Sequence, residues 1–149
     1  MPDELLRPTV GAGVDMSARP WRLMSQTYVA FFGGVLASTA VAYLNAGRLG
    51  VNPAKRRLIL LTGLAGLLAV IGVFVLLYGD SGVTSGLRVS IRVVAVLCCL
   101  AQLRLQRPMD RAFQLRGADY GSLWGVGIAA TIGGAVAEAL ILLLVTVVL

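Results

Sequence analysis

Glu138 is the carboxylate of this 149-residue chain that lies deep in an apolar run, LWGVGIAATIGGAVAEALILLLVTVVL, from Leu123 to the last residue. A charge at that depth in hydrocarbon faces a helix bundle or a wet cavity and marks a candidate site. Its natural counterpart is Arg92. Ser85, Arg88, Arg92, Ala95, Cys99, Gln102 and Gln106 recur in steps of three and four, so one helix would carry them all on one side. Counted along helices, Arg92 and Glu138 each fall roughly 13–17 Å from the same end of their segments, which predicts a buried ion pair with Arg88 assisting or snorkelling outward. Such a pair either fixes helix register or builds a site for an ion, a proton or an anionic headgroup. Ala130, Gly134 and Ala137 share the Glu138 face and would let another helix approach closely.

Other chemistry is sparse. The two cysteines, Cys98 and Cys99, are adjacent and have no distant partner, so free thiols are expected. With no histidine there is no ligand set for a metal, and no cofactor is expected. Phosphate-loop, nucleophile-elbow and zinc-helix motifs are missing from the sequence. Asp110 and Asp119 sit among arginines, as a solvated loop would place them, and give the one foothold for an enzyme acting on lipid. Lys55, Arg56, Arg57, Arg107 and Arg111 suit anionic lipid headgroups. The net charge of +6 does not argue for nucleic acid, because the cations cluster at the ends of apolar segments and not among aromatic residues.

The elements that must position these residues are membrane helices. A chain that is 58% hydrophobic and 13% charged, with mean hydropathy +0.86, is too apolar for a water-soluble domain of average composition. The run from Leu58 to Tyr78 holds no charge, is long enough for a bilayer of about 30 Å, and follows Lys55-Arg56-Arg57. Cations collect on the cytoplasmic side, so its first end should face the cytoplasm. The expected fold is an all-α four-helix transmembrane bundle. Its helices are predicted at about 26–46, 58–78, 83–104 and 122–149, with cytoplasmic loops at 47–57 and 105–121. Residues 1–25 read as an extended or disordered tail, and both termini as non-cytoplasmic. The third segment must cross to bring Arg104, Arg107, Arg111 and Arg116 back to the cytoplasmic side. Tyr28 and Tyr78 would then mark the outer interface, and Tyr43, Tyr120 and Trp124 the inner one. Ala30, Gly34, Ser38 and Ala42 recur every four positions and form the packing face of the first helix.

Phe31, Phe32, Gly33, Gly34, Ala37, Asn45, Leu49 and Gly50 form an aromatic-Gly-Gly…Asn…Leu-Gly pattern, echoed by Leu-Gln-Arg-Pro at 105–108. In this the chain resembles small bacterial four-helix membrane proteins, although Val35 stands where those often have proline. The resemblance implies a bacterial plasma-membrane setting and carries no activity.

Three functions fit. The first is a non-catalytic accessory subunit, packing with itself or a membrane partner through its small-residue faces. The second is a small oligomeric transporter or channel that uses the Arg/Glu site. The third is a membrane enzyme acting on lipid.

Overall fold

A computed structural model describes residues 19–78 and 83–148 of the protein. It is built from four helices and, among the described residues, no strand. By length and composition all four are long and apolar enough to cross a membrane, so this is a multi-pass membrane protein.

Helix α2 (Pro53–Leu77) starts ahead of its apolar run, because Asn52 accepts the Ala54 N–H at 2.9 Å and Pro53 occupies the first helical turn. Helix α3 (Ser85–Leu115) is capped by Thr84, which accepts the Leu87 N–H at 3.2 Å. It continues far beyond the predicted end at 104 and passes through Pro108. Leu105, Met109 and Phe113, in steps of four, pack against the cluster around Leu49 and Leu103, so the apolar stripe carries the helix onward and shortens the loop expected at 105–121. Helix α4 (Trp124–Val148) starts where Ser122 Oγ accepts the Trp124 N–H at 3.4 Å.

Helix α1 (Ser25–Arg48) departs most from expectation. Gly34 sits at φ 79°, ψ −166°, a backbone region that only glycine occupies readily, and the chain reverses there. Trp21 N–H donates to Asn45 Oδ1 at 2.7 Å, and Asn45 Nδ2 donates back to the Trp21 carbonyl at 3.2 Å. These two residues are 24 positions apart. A straight helix would separate them by about 36 Å. Arg48 repeats the contact one turn on, donating to the Arg19 carbonyl at 3.1 Å, with its guanidinium 3.9 Å from the centre of the Trp21 ring. Thus α1 is a hairpin of two helical arms, residues 25–33 and 35–48, whose open end lies beside the start of α4, where Gly121 N–H donates to the Pro20 carbonyl at 2.8 Å.

Several expectations change accordingly. The segment predicted as one straight helix at 26–46 instead folds back at Gly34, so that its two ends lie together at one end of the bundle. Within residues 19–24, read as part of an extended tail, Pro20, Trp21 and Leu23 are buried, Trp21 with only 1% exposure, while Arg19, Arg22 and Met24 are exposed. Residues 1–18, and the connection at 79–82, lie outside the described residues. The first described residues stand at the end of the bundle where α4 begins, and Val148 at the far end of that helix. Tyr28 moves with them, and lines the same groove as Trp124. The face of Ala30, Gly34, Ser38 and Ala42 is buried: Ala30 and Ala42 share one cluster across the hairpin with Ile59 of α2 and with Cys99 and Leu103 of α3, and Gly34 meets Glu138 of α4. The hairpin is the centre of the molecule: 61% of its most apolar 18-residue stretch is buried, against 11% for α4.

Candidate functional site

The tip of the hairpin meets Glu138. Because Gly34 breaks the helix, the second arm begins inside the protein with backbone N–H groups that have no carbonyl one turn earlier to take them. Val35 N–H donates to Glu138 Oε2 at 2.9 Å, and the Leu36 N–H is directed at the same carboxylate. The carboxylate therefore caps a half-helix at its positive dipole end, with charge-assisted bonds replacing the missing turn. Glu138 is 5% exposed. A side chain at residue 34 would collide with this carboxylate, so glycine is required there for space as well as for conformation.

The remaining small residues allow the approach. A Cβ on Gly134 would lie 2.7 Å from the Ala37 backbone nitrogen, and one on Gly33 would lie 2.7 Å from Thr131 Cα. Of Ala130, Gly134 and Ala137, Gly134 is buried against Ala37 of the hairpin, and the two alanines are half-buried. On the opposite flank, Gly66 of α2 gives its space to Cys98 and Val35.

Glu138 does not close on Arg92. Its carboxylate is occupied by the backbone of the second arm, and Arg92 reaches it only through its electrostatic field. The depth estimate, counted on the third and fourth helices alone, brought the two side chains to the same neighbourhood but took no account of the first helix, whose unwound N–H groups take the partner's place. Arg88 and half-buried Arg92 line a shallow cleft of about 450 Å³ with Phe31 and the valines of α3. Ser85 is exposed at the start of that helix.

The inner half of the α3 stripe does face the bundle. Cys99, Gln102 and Gln106 are fully buried. Gln102 Nε2 donates to Thr39 Oγ1 at 2.8 Å, Thr39 Oγ1 donates to the Val35 carbonyl at 2.7 Å, and Gln106 Oε1 accepts from Asn45 at 3.1 Å. A column of polar groups therefore runs from the open end of the hairpin to its tip. It has unused capacity: Gln102 Oε1, Gln106 Nε2 and both polar atoms of the fully buried Gln26 have no protein partner. Asn45 and Gln26 were not among the candidate site residues. Asn45 stood out only as part of the aromatic-Gly-Gly…Asn pattern, and Gln26 marked merely the start of an uncharged run.

At the cation-rich end, Asp110 accepts from Tyr120 Oη at 2.9 Å and from Gln114 Nε2 at 3.0 Å, which engages both its oxygens. Burial raises the Tyr120 phenol above its ordinary range, the Asp110 charge adds to this, and Gln114 and Arg22 oppose it. Tyr120 therefore remains a donor, and Arg22 lies 5.6 Å from its ring centre. Of the expected headgroup residues, Lys55, Arg57, Arg107 and Arg111 are exposed at this end, while Arg56 lies over the Tyr43 ring at 4.4 Å. Compared with protein-family models, curated proteins and solved structures, the chain gives no match.

Proposed function

We propose that the protein is a small transporter or channel subunit, working as an oligomer in a bacterial plasma membrane, whose re-entrant hairpin is latched by Glu138. The observation that carries this reading is the broken backbone inside the bundle, with the N-terminal end of a half-helix held by one carboxylate. Irregular backbone is tolerated at that depth only where protein or a watery cavity satisfies it, and transporters build ion and substrate sites from such half-helices. Protonation of Glu138 would remove the charge from its bonds to Val35 and Leu36 and loosen the tip. The polar column of Gln106, Asn45, Gln102 and Thr39 supplies an approach from the cation-rich end, which faces the cytoplasm in this reading. Three spanning helices and one hairpin do not enclose a pathway, hence the oligomer.

Proteoliposomes with an imposed pH difference test the idea. Wild-type protein should dissipate the difference faster than empty vesicles, and Glu138→Gln should return the rate to that of empty vesicles. Equal rates for wild type and Glu138→Gln would reject it. The accessory-subunit reading retains one support: a side chain at Gly125 or Gly133 of α4 would meet nothing within 4 Å, so that face is open to a partner helix. Co-purification of one stable membrane partner, without proton flux, would favour it.

A further inference from the structure

Between the first arm of the hairpin and α4 lies a groove of about 1060 Å³, separate from the Glu138 site. Its long walls are apolar: Tyr28, Val29 and Phe32 face Trp124, Ile128 and Ile132. Tyr28, Phe32 and Trp124 are 71%, 61% and 80% exposed, so these rings surround the space without filling it. The floor is kept low by Gly127, where a Cβ would reach Leu123 and Val29. The groove stops where Gly33 and Thr131 press together at the tip.

The mouth differs chemically from the walls. Arg19 and Arg22 line it with the hydroxyls of Ser25 and Ser122, opposed, among the described residues, by a single carboxylate, Asp119. Among the described residues, neither arginine is paired with an acid. The Arg19 carbonyl, not its guanidinium, is the group bonded to Arg48, and Arg22 rests over a phenol ring that stays uncharged. A groove with hydrocarbon walls, an aromatic rim at interface depth and a net cationic mouth is complementary to an amphiphile with an anionic head. The volume is at the upper end of the usual range for ligand pockets, roughly 300–1,000 Å³, as a chain-bearing ligand needs.

We propose that this groove binds one anionic phospholipid, with its phosphate between Arg19 and Arg22 and an acyl chain lying along Phe32, Ile128 and Ile132. The site is separate from the headgroup cluster at Lys55–Arg57, Arg107 and Arg111, none of which lines this groove. It does not depend on Glu138 or on transport.

Native mass spectrometry of the full chain in detergent, with phosphatidylglycerol or phosphatidylcholine added in equal amounts, decides the matter. Wild type should retain one phosphatidylglycerol in preference to phosphatidylcholine by about tenfold. Arg19→Ala with Arg22→Ala should abolish the preference, whereas Arg19→Lys with Arg22→Lys should keep it. Inorganic phosphate alone should not compete, because the walls contribute to binding. Ile128→Trp, on the lipid-facing side, should fill the groove and remove the bound lipid with all charges intact, and it settles the question if the double alanine variant does not fold. Equal retention of the two lipids by wild type would overturn the proposal. So would a phosphatidylglycerol preference that survives both the double alanine change and Ile128→Trp, or that inorganic phosphate displaces.

Discussion

Gly34 and Glu138 form a single device. The residue at the break must adopt a backbone region costing roughly 1–3 kcal/mol for other residue types, and the carboxylate occupies the space a side chain would need. Gly34→Ala should therefore destabilise the protein by at least about 2 kcal/mol, while Gly125→Ala, on the open face of α4, should be close to neutral. Thermal unfolding in a mild detergent reads both. Equal losses would mean that the break at residue 34 is not a constraint. Glu138 stood out in the sequence as the acid inside an apolar run, which a helix bundle must bury with a partner. Its partner did not, since backbone N–H groups leave no trace in composition and become available only once a helix is broken.

At the scale of the element, the hairpin is held shut at its open end by Asn45, whose amide satisfies both backbone groups of Trp21 and reaches Gln106 as well. Asn45→Ala would leave a buried N–H, a buried carbonyl and a buried glutamine oxygen unpaired, at about 1–3 kcal/mol for each group. Hydrogen exchange should then accelerate across residues 20–26, with little change in α4. Unchanged protection at Trp21 would show that Asn45 is not the clasp. The reversal was hidden because an uncharged run of spanning length fits a straight crossing and a folded pair of arms equally well by composition. One signal did exist. Arg19 and Arg22 stand directly before the first helix, and a crossing helix would have put them on the side away from the other cations, against the positive-inside tendency. The same tendency, applied to Arg104 through Arg116, correctly required α3 to run between opposite ends.

Across the whole molecule, the hairpin gathers charge at one end. Arg19, Arg22 and Arg48 join Lys55–Arg57 and the cations that follow Leu103, while α2, α3 and α4 pass between this end and the other. Three straight helices thus pack around the folded α1, so helix number and apolar character were readable from sequence, whereas the path of the first helix depended on one glycine. Single-cysteine labelling in sealed vesicles, in a Cys98→Ala/Cys99→Ala background, examines this arrangement most directly. With an impermeant maleimide, cysteines at positions 22 and 57 should react from the same side of the membrane, and one at position 147 from the other. If positions 22 and 57 react from opposite sides, α1 is a crossing helix, and the latch at Gly34 and Glu138 does not exist in the membrane.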